Sequence, residues 1–314
     1  MQETMNNRTD NERRTGSNLV ANESGTPPLN PNALANRAAL MMGAILVANG
    51  KLRQDQIDLV LNEQRITGQR FGETAIRMRL VSHADVDEAL ALQFGYSSAR
   101  ATALALPDTV TSAVNPYSPF AEALRGLRSQ LMTRWFDGTP GRSTLAITSV
   151  DRGDGKSFVC ANLGVAFSQI GERTLIIDGD LRHPTQHLNF GLRNPMGLSG
   201  ILSGRAGLEE IMDFPTLPNL SVLPSGPQPP NPQELLGRET FIELLNILAG
   251  RYDVILIDTP SAQEASDALV ICQRARGALI VGRKDRTKAG EIAQLASVMA
   301  TSHITLLGAS LNEY

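Results

Sequence analysis

Cysteine is scarce in this chain. The only two, Cys160 and Cys272, lie far apart in apolar segments of a 314-residue sequence. That excludes a disulfide framework or a cysteine metal site and fits a reducing, cytoplasmic setting. Charge of either sign is not in excess, with 29 Lys+Arg against 32 Asp+Glu and a net charge of −3. No global field therefore draws the chain to nucleic acid or anionic lipid, no nucleic-acid partner is expected, and any polyanion must be held locally. Long apolar runs are missing too. The longest uncharged one, Ala38 to Ala48, has 11 residues, whereas a membrane span needs about 20. It also begins too deep in the chain for a signal peptide. Trp135, the single tryptophan, is expected to pack rather than bind. His183 and His187 share a helical spacing, but no acid or third ligand accompanies them in the sequence, so they do not read as a metal site.

At about 150 residues per domain, the length suggests two domains. Residues 1–35 are rich in Asn, Arg, Thr, Glu and Pro and show no apolar period, which reads as a disordered tail. An internal repeat follows at a constant offset: Gly43 matches Gly72, Asp58 matches Asp87, Leu61 matches Leu90 and Gln64 matches Gln93. Each copy reads as a short apolar helix, a turn, and a second helix starting near Gln54 or His83. Residues 36–97 are thus expected to form a small two-unit helical domain. A polar, Pro-containing stretch, 98–118, reads as a linker, which leaves 119–314 as the larger domain.

In that domain short apolar runs alternate with helical segments. Thr144 to Ser149, Arg173 to Asp178, Tyr252 to Asp258, Gly277 to Gly282 and Ile304 to Asn312 read as strands, and Lys156 to Ile170 as a helix. Uninterrupted apolar strands separated by helices predict a doubly covered parallel sheet of the α/β class, with ligands beyond the strands' carboxyl ends.

The first such strand runs into Ser149-Val-Asp-Arg-Gly-Asp-Gly-Lys-Ser157. Gly153 and Gly155 let backbone N–H groups turn inward, the helix start adds partial positive charge, Lys156 can reach terminal phosphates, and Ser157 can ligate Mg²⁺. Val150 replaces the usual first glycine. Two further strand ends carry acids: Asp178 and Asp180, which point the same way because side chains alternate with period two, and Asp258. Hard cations take such oxygen ligands. Any one of these aspartates could instead cap the following helix.

Together these residues resemble the bacterial tyrosine kinases, the BY-kinases that control capsule and exopolysaccharide chain length. The resemblance covers roughly residues 115–312. It rests on the phosphate loop, on Asp178-Gly-Asp-Leu-Arg-His-Pro184, on Ile257-Asp-Thr-Pro260, on Gly226-Pro227 followed by Pro230 to Leu236, and on a final strand ending at Asn312. It implies a P-loop NTPase fold and an ATP- and Mg²⁺-dependent protein-tyrosine autokinase. Arg152, Gly153, Asp154, Gly155, Lys156, Ser157, Phe158 and Asn312 would bind ATP, with Asn312 near the adenine. Lys156, Asp178 and Asp180 would be catalytic, and Ser157, Asp178, Asp180 and Asp258 would hold the metal.

The resemblance also assigns Glu122, Arg125 and Arg128 to the contact between subunits of a ring. By spacing alone they form one charged helix stripe. With no spanning segment in the chain, it implies a separate membrane activator, a polysaccharide co-polymerase, and a peripheral position at the inner face of the membrane. These kinases end in a tyrosine cluster, whereas this chain has Tyr314 alone. The 36–97 repeat resembles the N-terminal domain of type II secretion ATPases, some of which bind cyclic di-GMP through paired Arg-Leu-Gly motifs. Here one copy reads Arg70-Phe71-Gly72, but the other reads Met41-Met42-Gly43, and a thioether cannot replace a guanidinium's bidentate contact.

Two other classes stay open on sequence alone. One is an ATPase switch similar to the ParA/MinD partitioning proteins, which carry a lysine where this chain has Asp151. The other is a nucleotide-binding scaffold without kinase activity. If Tyr314 is the phosphoacceptor rather than an ordinary chain terminus, incubation with Mg-ATP adds a phosphate there, seen by mass spectrometry and missing in Tyr314→Phe.

Overall fold

The computed structural model describes residues 41–93, 107, 109–114, 118–215 and 217–313. The expected tail 1–35, Tyr314 and most of the expected linker lie outside the described residues.

Helix α1 (residues 41–48) is followed by α2 (Gln54–Thr67), α3 (Phe71–Arg77) and α4 (His83–Gln93). The repeat is visible in their packing. A Cβ on Gly43 would stand 3.3 Å from Ile57, and one on Gly72 only 2.6 Å from Val86. The matched glycines thus allow matched helices to approach. Their apolar faces, with Met42, Leu46, Ile57, Val60, Phe71, Ala75 and Val86, close one small core.

The larger unit begins with a single helical turn, α5 (Thr111–Val114), and α6 (Pro119–Arg134). Then come β1 (Thr144–Ser149), α7 (Lys156–Ser168), β2 (Thr174–Asp178), α8 (Gln186–Asn189), α9 (Gly197–Leu202), β3 (Met212–Asp213) and β4 (Leu220–Leu223). The chain continues through α10 (Pro232–Gly237), α11 (Glu239–Ala249), β5 (Val254–Asp258), α12 (Asp267–Ala275), β6 (Gly277–Arg283), α13 (Ala289–Thr301) and β7 (Thr305–Asn312). The strands form one sheet in the order β3-β4-β2-β5-β1-β6-β7. All neighbours are parallel except β3, which runs antiparallel to β4. The expected sheet is therefore mixed at one edge. β3 and β4 escaped the sequence reading because two- and four-residue runs are too short to show a period.

The central strands read as continuous apolar runs because both faces are covered. Leu145 and Ile147 of β1 meet α6 and α7 on one side, while Ala146 faces α11 to α13 on the other. Part of the expected linker belongs to this core. Val110 and Ala113 are fully buried, and Asn162 of α7 accepts from the Ser112 amide at 2.8 Å and donates to Thr109 O at 2.8 Å. A buried amide side chain finds its partners there, which docks 109–114 onto the sheet domain. Trp135 packs as expected, buried against Gly277, with Nε1 donating to Thr144 O at 2.9 Å.

Helix α7 starts at the phosphate loop, so its seat on the sheet positions that loop. The seat is Gly164, where a Cβ would fall 2.5 Å from Ile176 Cδ1 and 2.7 Å from its Cγ1. Alanine favours a helix over glycine by about 0.8–1.0 kcal/mol, but overpacking a tight core costs about 1–3 kcal/mol. Gly164→Ala is therefore expected to destabilise the domain by up to about 2 kcal/mol, read from a lower urea midpoint at unchanged slope.

Candidate active site

The turn after β1 crosses from strand to helix with Gly153 at φ +88° and Gly155 at φ +90°, a region glycine enters without steric cost. Among the described residues, nothing accepts a hydrogen bond from the amides of Gly153, Gly155, Lys156 or Ser157. Four donors at a helix start, with no internal partner, make an anion cradle. Lys156 Nζ sits at its mouth, donating to Ser157 Oγ at 3.2 Å and 3.7 Å from Asp180 Oδ2.

The strand ends deliver the acids beside it. Parallel pairing sets Asp178 of β2 level with Asp258 of β5, and both carboxylates are fully buried. Asp178 has both oxygens engaged: Oδ2 accepts from the Thr185 and Gln186 amides at 3.0 and 2.9 Å, and Oδ1 from the Asp180 amide at 3.3 Å. It anchors the start of α8, the capping role that competed with metal binding. Asp258 differs. Its Oδ2 accepts from Gln186 Nε2 at 2.8 Å, while its Oδ1 is buried with no partner. Burial first, and the Asp258 charge second, push the Asp178 carboxyl well above the ordinary carboxylate range. Burial also raises Asp258, partly offset by the Lys156 ammonium. Asp180 Oδ1 accepts from the Arg182 and His183 amides, which leaves Oδ2 toward the lysine.

Several side chains that the sequence reading passed over complete the arrangement. Gln186, fully buried, ties Asp258 to Ser157 O at 3.0 Å. Arg182 pairs bidentately with buried Asp267, joining the loop after β2 to α12. Glu264 receives Ser261 Oγ at 3.3 Å and stands 3.2 Å from His183 Nδ1 and 3.9 Å from Arg152 Nη1. Arg283, the last residue of β6, and Arg286 and Thr287, just past it, meet the outer side of the phosphate loop. Their position at a strand's carboxyl end was the signal available in the sequence.

No protein-family model matches the chain. Tyrosine-protein kinase YwqD of Bacillus subtilis is 35% identical over 203 residues, covering 65% of this chain and 85% of that protein. The chain belongs to the bacterial tyrosine-protein kinases. A solved structure, the kinase domain of Escherichia coli tyrosine kinase ETK, is 31% identical with a TM-score of 0.62, covering 65% of this chain and 79% of that one. Tyrosine-protein kinase wzc of Salmonella typhimurium is 35% identical over 198 residues, which span 27% of that longer protein. The partitioning-type switch gives way to the kinase reading, since these relatives are tyrosine kinases.

In this kinase Phe158 and Asn312, both expected at the nucleotide, line a groove of about 600 Å³ with Phe120, Ala123, Leu127 and Leu311. The rings of Phe120 and Phe158 lie 5.0 Å apart. On α6, Glu122 accepts from Arg125 at the surface, whereas Arg128 is buried and donates to Ala166 O at 2.7 Å. Arg128 thus fastens α6 to α7 within its own chain, a use of the third charge that the stripe did not suggest. Among the described residues, no three His, Cys, Asp or Glu side chains are arranged to hold a metal by themselves, and no helix is long and apolar enough to cross a membrane.

Carboxyls raised above their unfolded value near 3.8 contribute stability below that pH and lose it as pH rises through the folded value. Near neutral pH, Asp178 and Asp258 therefore oppose folding of the nucleotide-free kinase. Asp258→Asn is expected to raise its Tm at pH 7.5, by about 2–4 °C for each kcal/mol recovered, and to leave Tm unchanged between wild type and variant near pH 4. Thermal unfolding at both pH values checks this.

Proposed function

We propose that this kinase transfers the γ-phosphoryl group of ATP to tyrosine hydroxyls and works in capsule or exopolysaccharide export. The observation that supports it best is the Lys156 ammonium at the mouth of the cradle, between the Ser157 hydroxyl and the Asp180 carboxylate. Phosphoryl transfer asks a protein mainly for positioning and charge neutralisation, and this inventory supplies both. The amides from Gly153 to Ser157 would hold the phosphates and Lys156 would meet the β- and γ-phosphate oxygens, while the Phe158–Asn312 groove would take the base.

Magnesium fits the donor set. An unpartnered buried oxygen on Asp258, the Ser157 hydroxyl and Asp180 Oδ2 are hard ligands, fewer than a closed cage, as suits an ion that keeps waters and phosphate oxygens. When bound, the ion would neutralise charge developing on the transferred group. Asp178, committed to three backbone amides, holds the floor of the site. Asp180 is then the carboxylate to accept the phenolic proton as the tyrosine oxygen bonds to phosphorus and the bond to the ADP oxygen breaks.

The activator remains a partner of this proposal, as does subunit contact through Glu122 and Arg125. The four helices of 41–93 present one arginine, Arg70, where a paired cyclic di-GMP site needs two, so a docking or structural role suits them better. Lys156→Met is expected to lower tyrosine phosphorylation by at least about 10²-fold with an unchanged circular dichroism spectrum. Radiolabelled γ-phosphate transfer, with phosphotyrosine detection, measures it. Undiminished transfer would overturn the assignment.

A further inference from the structure

Three consecutive carbonyls of the phosphate loop are held from its outer side. Arg286 Nη2 donates to Arg152 O at 3.0 Å, Arg283 Nη1 reaches Gly153 O at 3.4 Å, and Asn312 Nδ2 donates to Asp154 O at 3.2 Å. In a planar trans peptide, each C=O points opposite to the N–H of the next residue. Carbonyls 152, 153 and 154 turned outward therefore turn the amides of Gly153, Asp154 and Gly155 inward, as an anion nest requires.

The grip is braced from the same corner. The buried Asp154 carboxylate accepts from the Asp151 amide at 3.0 Å and from Thr287 Oγ1 at 2.9 Å, and Thr287 Oγ1 accepts from the Arg283 amide at 2.7 Å. Asn312 is held in turn. Lys284 N donates to its carbonyl at 2.9 Å, and Lys284 Nζ pairs with Glu313 at 3.1 Å. The approach is so close that a Cβ on Gly155 would fall 2.0 Å from Asn312 Nδ2.

Inward amides repel one another until an anion arrives, and a loop free to turn its peptides over would relieve that repulsion. A ligand would then have to reverse the relaxation, at a cost to affinity. We infer that Arg283, Arg286 and Asn312 are positioning residues that keep the amides inward before nucleotide binds, so that phosphate affinity depends on the C-terminal end of β7 staying docked. This rests on the reading of the loop as a nucleotide's phosphate site. It also gives Asn312 a task distinct from contact with the base.

The test compares wild-type kinase with Asn312→Ala, Arg286→Ala and Arg286→Lys by calorimetry, using Mg-ADP and, separately, inorganic tripolyphosphate with magnesium. Each alanine variant is expected to bind both ligands about tenfold more weakly, the loss of one hydrogen bond near the upper end of its usual range. Arg286→Lys, which restores a donor and the charge, should recover part of the loss. Arg286 is exposed, so its variants report on the loop with the fold kept. Tripolyphosphate has no base. A loss confined to Mg-ADP would mean a base contact and would overturn the inference, as would alanine variants that bind both ligands as tightly as wild type. A wild-type chain that binds neither ligand would instead remove the nucleotide reading of the loop itself.

Discussion

A set of backbone amides aimed at one point, with no partner inside the molecule, is the constraint on which the rest of this kinase depends. Such a set is unstable alone, because parallel N–H dipoles repel and each unpaired donor forgoes a hydrogen bond. The fold answers with glycine at the two left-handed positions, a helix continuing from the turn, and side chains fastened to the outward carbonyls. Sheet order makes the last of these possible. β1 lies between β5 and β6, and β7 lies beyond β6, so the ends of late strands arrive beside a loop built from an early one.

Electrostatics follows from the same order. β2 and β5 are neighbours, and in register they bring Asp178 and Asp258 side by side in a buried place. One lysine cannot balance three carboxylates there. The site resolves this unevenly. Asp178 is solvated by three amides of its own chain, Asp180 by two amides and the Lys156 charge, and Asp258 by Gln186 on one oxygen, with Lys156 and the Ser157 side chain also favouring its charge. The oxygen left over is where a cation has most to offer. Three acids that look alike in the sequence thus take three different tasks, separated by what each carboxylate already holds.

Rigidity is concentrated behind the site. Asn162, Arg128 and Gly164 join α7 to the 109–114 segment, to α6 and to the sheet, respectively. A loop that must hold a polyanion at fixed distances needs a helix that does not shift, and these contacts supply it away from the chemistry. The groove beside Phe158 opens between the same helices and the end of β7, so phosphate cradle and apolar groove share a wall.

The sequence by itself determined what depends on local pattern. Buried strands announced themselves as uninterrupted apolar runs, and the phosphate loop by glycines followed by Lys156-Ser157. Those signals lie within a few residues of one another, where backbone sterics and side-chain period act directly. Tertiary structure alone decided that Asp178 anchors a helix while Asp258 keeps a free oxygen, that Arg128 turns inward, and that Asn312 grips the phosphate loop. The reason is distance along the chain. Asn312 and Asp154 are 158 residues apart, and only strand order, set by burial summed over the whole sheet, could make them neighbours.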